Sequence, residues 1–128
     1  MNREYLNKLS KIVLDSSIEV HRNLGPGLLE SVYEVCLCKE FESRQIKFSR
    51  QVPIPVIYKN EQLDADFRID ILVENEIIIE LKAVEVILPV HSAQLLTYLK
   101  LADKHLGFLI NFNVPRLVDG FKRMVNNF

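Results

Sequence analysis

Asp70, Glu80 and Lys82 are the residues of this sequence whose types and spacing could do chemistry together. Residues 63–73 and 77–84 each alternate apolar and polar side chains with the period of two that marks a strand. With Glu74-Asn75-Glu76 as the loop between them, Ile71 faces Ile79, Val73 faces Ile77 and Ile69 faces Leu81. One whole apolar face is then matched, which is what fixes a register. On the opposite face Leu72 meets Ile78, Asp70 meets Glu80 and Arg68 meets Lys82. Carboxylates directly opposed across a ladder have Cβ atoms ~5 Å apart. Alone they repel, and one tends to take up a proton. A divalent cation removes the conflict by accepting an oxygen from each, and a hard cation such as Mg²⁺ completes its shell with waters and a substrate phosphate. Lys82 projects from the same face two residues beyond Glu80, where an ammonium can hold a phosphate or an attacking water beside the metal. The set reads as a phosphodiesterase constellation. The competing reading is two solvated acids on the wet side of an antiparallel sheet. Leu72 and Ile78 on that same side weigh against it. Asp64 and Asp66 share the strand parity of Asp70 and would substitute for it in a different register.

The surrounding elements must position these groups. Leu6, Leu9, Val13, Val20 and Leu24 recur at helical spacings and predict a helix over residues 3–23, ended by Gly25-Pro26-Gly27. A second helix is expected over residues 28–44, with Leu29, Val32, Cys36 and Leu37 as its apolar face. Residues 52–58 read as a strand, which Pro53 and Pro55 assign to an edge or a strand start, and Asn60-Glu61 as the turn after it. Pro89 suits the first turn of a third helix, whose apolar spacing runs through Leu95, Leu96, Leu99 and Ala102. Residues 106–112 are nearly all apolar, as in a buried central strand. Residues 121–125 read equally as a strand or as helical turns. The order is α-α-β-β-β-α-β plus a tail. An antiparallel meander and a helical crossover to a parallel neighbour give a mixed sheet flanked by helices, of class α/β.

Composition narrows the rest. The 128 residues suffice for one core and not two, so residues 1–128 form a single domain. A formal net charge of −1 lacks the basic surplus of a dedicated binder of long DNA, so any such contact must come from a local patch. An apolar share of 48% with so little net charge excludes a disordered chain. Met1-Asn2-Arg3-Glu4-Tyr5 does not open a signal peptide, and no stretch approaches the ~18 uninterrupted apolar residues of a membrane span. Cys36 and Cys38, two apart on a helix, point to nearly opposite sides and cannot pair with each other. Two sulfurs alone also make a poor zinc site. Reduced thiols near a core, in the cytoplasm, are expected.

Gly27-Leu28-Leu29-Glu30-Ser31-Val32-Tyr33 matches the GxxExxY motif. Three further blocks follow in order: residues 69–74 with 79–83, residues 91–100, and Gly107-Phe108-Leu109-Ile110-Asn111-Phe112. Over nearly its whole length the chain resembles the GxxExxY family of bacteria and archaea, which is assigned to the PD-(D/E)xK nuclease superfamily. The resemblance implies a restriction-endonuclease-like core. It implies that Asp70 and Glu80 are metal ligands, Lys82 the catalytic lysine, Glu30 a helix-borne acid completing the metal shell, and Gln94 a catalytic glutamine beside the site. Ile69 stands where the superfamily's proline would precede Asp70.

Plainer readings accompany the supporting residues. Glu30 shares a helix face with Tyr33 and Glu34, and a first-turn acid is also favoured by the helix dipole. Tyr33 could contact substrate or be a partly buried tyrosine with a bonded hydroxyl. His91, Gln94 and Tyr98 form a polar stripe, which is a solvated face or, in this fold, the overlook of the active face, with His91 and Tyr98 as substrate contacts. His21 suits a helix C-terminus. Lys100, Lys104, Lys122 and Arg123 form a phosphate-binding rim or a scattered solvated surface. The first function expected is therefore a nuclease dependent on Mg²⁺ or Mn²⁺, acting on DNA or RNA. The second is a non-catalytic module that holds nucleic acid or protein on the same fold. The third is a plain oligomeric structural protein. A homodimer is compatible with all three.

Overall fold

In a computed structural model, residues 1–63 and 67–128 are described. Asp64 and Asp66, the alternative ligands, lie outside them. Helix α1 (Arg3–Leu24) is capped by the Asn2 side chain, which accepts from the Tyr5 N–H, and it buries Leu6, Leu9, Val13 and Val20 as the stripe predicts. It ends at Gly25, whose φ of 68° in the left-handed region is one that glycine reaches without cost. Helix α2 (Glu30–Ser43) follows, then strands β1 (Phe48–Pro53), β2 (Val56–Tyr58), β3 (Glu61–Leu63), β4 (Arg68–Val73) and β5 (Ile77–Lys82). Helix α3 (Pro89–Leu101) crosses to β6 (Leu106–Asn111), and a 3₁₀ turn leads into β7 (Phe121–Val125).

Among the described residues the main sheet has five strands in the order β1-β4-β5-β6-β7. It is mixed: β6 runs parallel to β5 after the helical crossover, and the other pairs are antiparallel. The α/β class and the flanked mixed sheet are as expected. Two strand readings need correction. Residues 52–58 divide between β1 and β2, and residues 63–73 between β3 and β4. Pro53 and Pro55 donate no ladder hydrogen bond, so the chain leaves the sheet there. Ile54 turns into the core between them, its N–H donating to the Phe67 carbonyl. β2 and β3 form a separate hairpin, closed by Lys59 and Asn60, both with positive φ. The turn is thus one residue earlier than Asn60-Glu61. The tail resolves to a strand against β6.

Both faces of the sheet are covered. Ile71, Val73, Ile77, Ile79 and Leu81 pack with α1 and α2. Leu72, Ile78 and Leu109 pack with Leu95, Tyr98 and Leu99 of α3. Gly107 permits this approach: a Cβ there would stand 3.1 Å from the Leu95 side chain and from the Ile78 carbonyl. The wet sheet face that would make Asp70 and Glu80 ordinary surface acids is therefore absent where α3 lies. The expected face of α2 is also corrected. Leu29 is 73% exposed and Val32 is exposed, while Tyr33, Leu37 and Phe41, at a spacing of four, point inward. Leu29 lies before the first helical turn, so it cannot extend the helix's buried stripe. Cys38 is buried, Cys36 partly so, and both are free thiols. No helix of the described residues is long and apolar enough to cross a membrane.

Candidate active site

The β4–β5 ladder keeps the expected register for three pairs, Val73 with Ile77, Leu72 with Ile78 and Ile71 with Ile79, and then stops. Beyond it, side chains take over the bonding. The Leu81 N–H donates to Asp70 Oδ2 at 2.8 Å, and the Asp70 N–H donates to Glu80 Oε1 at 3.3 Å. The two carboxylates come together as the sequence suggests, but not as a ladder pair. The other side of β4 is interrupted at the same level. β1 pairs Arg50 with Ile71 and Val52 with Ile69, and Gln51 between them, at φ 51°, is left out. The period of two breaks here as well. Ile69 joins the core under α3, whereas Ile71 joins the core under α1 and α2. Ile69 therefore does not face Leu81, as continued alternation would require.

Glu80 is only 6% exposed and Asp70 is half-buried. Burial, and then the Asp70 charge, push the Glu80 carboxyl up to about 8. Burial also raises Asp70, helped by the charges of Glu34 and Glu30 and opposed by the Leu81 N–H and by Lys82. Among the described residues neither carboxylate has an ion-pair partner. The charged form of the pair thus lacks a bonded cation.

Lys82 ends β5 and lines a groove of about 510 Å³ with Val90, His91, Ala93, Gln94 and Thr97 of α3. His91 Nδ1 accepts the Leu88 N–H at 3.0 Å, so it caps the helix start and carries its neutral-form proton on Nε2. Gln94 donates to the Tyr98 hydroxyl at 3.0 Å. Tyr98 is buried beside Phe67, and burial followed by the charges of Glu80 and Asp70 raises its phenol. Of the expected stripe, Gln94 and His91 reach the groove, while Tyr98 packs beneath it.

On α2, Glu30 is exposed, and its charge reaches both carboxylates without joining them. Among the described residues no three His, Cys, Asp or Glu side chains gather closely enough to hold one metal ion. The expected set of Glu30, Asp70 and Glu80 is therefore not assembled. Tyr33 is fully buried and stacked on Phe112 at 4.5 Å. Its hydroxyl donates to the Gly25 carbonyl at 2.6 Å and accepts the Leu28 N–H, so it ties down the turn between the helices and offers no ring face to a ligand.

Sequence reasoning missed two residues. Glu34, one position after Tyr33, is buried and bonded to Arg50 and Gln51 of β1. Buried Asn111 accepts the Val84 and Asn113 N–H groups and donates to the Val84 carbonyl, fixing the chain just beyond Lys82. Asn111 falls at the end of an apolar run, where a buried amide needs backbone partners; that was the available signal. Glu34 gave only its place beside Tyr33.

The donor set fits a hard divalent cation. Asp70 and Glu80 are oxygen donors, each with one oxygen engaged by a backbone N–H and the other outside those bonds, and one or two carboxylates are what Mg²⁺ ordinarily takes from a protein. No curated protein and no solved structure matches the chain at a significant level. Residues 7–124 do match a family description, that of the PD-(D/E)XK nuclease superfamily, and the match takes in Glu30, Asp70, Glu80, Lys82 and Gln94. The chain belongs to the PD-(D/E)XK nuclease superfamily.

Proposed function

We propose that the protein is a divalent-metal-dependent nuclease of the GxxExxY type that hydrolyses phosphodiester bonds of DNA or RNA. The observation that carries this reading is the Asp70–Glu80 pair, drawn together out of water with no ion-pair partner among the described residues and within reach of the charge of Lys82, which lines the groove along α3. Asp70 and Glu80 would hold Mg²⁺ or Mn²⁺, with Glu30, whose charge reaches both, as the helix-borne acid that completes the metal shell. A cation bound there supplies a Lewis acid for the scissile phosphate and lowers the pKa of a bound water. Lys82 orients that water or stabilises the charge developing on the phosphate. Gln94 positions groups along the groove wall, and His91 offers its Nε2–H there. The free thiols fit action in the cytoplasm, and exposed Leu29, just before α2, with exposed Val32 and Val35 on it, is where a homodimer contact would be sought.

The alternative, a module that binds nucleic acid or protein without cleaving it, draws on one observation: no three-ligand cluster exists among the described residues. Calorimetric titration with Mg²⁺ and Mn²⁺, with cleavage assays on DNA and RNA, separates the two. The nuclease reading expects binding and cleavage in the wild type, loss of both in Asp70→Asn, and loss of cleavage alone in Lys82→Ala. A wild type that binds neither ion, even with nucleic acid present, leaves the binding module as the better account.

A further inference from the structure

The interruption at Asp70 has a support on α2, in Glu34. Glu34 is 7% exposed, an uncommon place for a carboxylate without a partner. Its Oε2 accepts from Arg50 Nε at 3.0 Å and Nη2 at 2.7 Å, and its Oε1 accepts from Gln51 Nε2 at 2.9 Å. One buried carboxylate on α2 thus grips two successive residues of an edge strand. The second of them, Gln51, stands in the left-handed region that an L side chain adopts only when its surroundings hold it there. Gln51 is also the residue opposite Asp70 that drops out of the β1–β4 pairing. At that level Asp70 turns both its N–H and its carboxylate toward β5, to Glu80 and to Leu81.

We infer that Glu34 is a positioning residue for the Asp70–Glu80 pair, acting by holding Gln51 out of the ladder so that Asp70 bonds across to β5. This rests on the nuclease reading for its consequence in metal binding, but its structural part stands apart from that reading. Without the grip of Glu34, Gln51 relaxes to an extended conformation, β1 and β4 pair continuously, and the Leu81 N–H loses its carboxylate acceptor.

The test combines Glu34→Ala with a rescue by Gln51→Gly, because glycine reaches positive φ without support. Two quantities are read: hydrogen-exchange protection of individual β5 amides, and Mn²⁺ affinity by calorimetry. In Glu34→Ala the Leu81 amide should lose protection about tenfold while Ile79 keeps its own. Mn²⁺ should bind about tenfold more weakly. Adding Gln51→Gly should restore both. Glu34→Gln, which keeps the volume and an acceptor oxygen, should fall between wild type and Glu34→Ala and serves if the alanine variant does not fold. Unchanged Leu81 protection would overturn the inference. So would a loss spread evenly over the sheet that Gln51→Gly leaves unrepaired, which is what a merely stabilising ion pair would give. A wild type that binds no Mn²⁺ defeats the nuclease reading alone, since Leu81 exchange still decides the role of Glu34.

Discussion

The two ends of the β4–β5 hairpin are built on different principles. At the loop end, Ile71, Leu72 and Val73 pair in register with Ile79, Ile78 and Ile77, and every one of these side chains is buried. At the open end the ladder is replaced by two side-chain bonds between Asp70, Glu80 and Leu81. The first end is held by apolar area that is good only for stability. The second buries Glu80 and half-buries Asp70, an arrangement that stability alone would exclude, since a buried charge without a partner is costly. Stability and chemistry are thus separated within one hairpin, and substitutions at the two ends should have opposite signs.

The largest effect should come from the apolar end. Ile79 is fully enclosed in the core under α1 and α2. Ile79→Ala removes buried methyl groups and leaves a cavity, at about 2–5 kcal/mol. Urea denaturation should show a lower midpoint, with metal binding intact wherever the variant is folded. A loss below about 1 kcal/mol, the range of volume-conserving swaps, would mean that this end is not the anchor.

At the open end the sign reverses and depends on pH. Glu80 holds its proton up to about 8 in the folded protein, against an ordinary value of 4.5. A raised carboxyl favours the folded state fully below its unfolded value, and that contribution is lost as pH rises through the folded one. Wild-type stability should therefore fall between about pH 4.5 and pH 8, by roughly 2–4 kcal/mol. Glu80→Gln should flatten this slope and be the more stable protein at pH 8. Mn²⁺ affinity of the wild type should rise over the same window, because the metal must displace the proton. Parallel stability curves for wild type and Glu80→Gln would show that burial of Glu80 costs nothing.

What could be read from the sequence follows the same division. Register was legible at Ile71, Val73, Ile77 and Ile79, because a matched apolar face admits one alignment. The proximity of Asp70 and Glu80 followed from that register. Its form did not: alternation assigns Ile69 to the face of Ile71, and only a second apolar core under α3 lets it settle on the other side. The β2–β3 hairpin was hidden because Pro53 and Pro55 mark where a strand can end without saying where the chain resumes. Glu34 was invisible for another reason. A buried acid is recognised by its partner, and Arg50 and Gln51 are brought to it only by the fold. Of the expected face of α2 Leu37 is buried, but Leu29 and Val32 compete with Tyr33 and Phe41 for the same helix, and it is Tyr33, stacked on Phe112, and Phe41 that are enclosed.

The smallest expected effect lies where the two ends meet, at Tyr98. Its ring belongs to the core that covers Leu72 and Ile78, and its hydroxyl belongs to the polar side through Gln94. Tyr98→Phe keeps the ring contacts, including the tilted approach to Phe67 at 6.1 Å, and removes a single hydrogen bond. The expected cost is about 0.5–1.5 kcal/mol of stability. Gln94 then loses its acceptor and is freer to swing within the groove, so kcat should fall more than KM rises. If the hydroxyl instead touched nucleic acid, KM would rise while the thermal midpoint stayed put. That split separates a tyrosine that braces Gln94 from one that binds substrate, and its burial favours the brace.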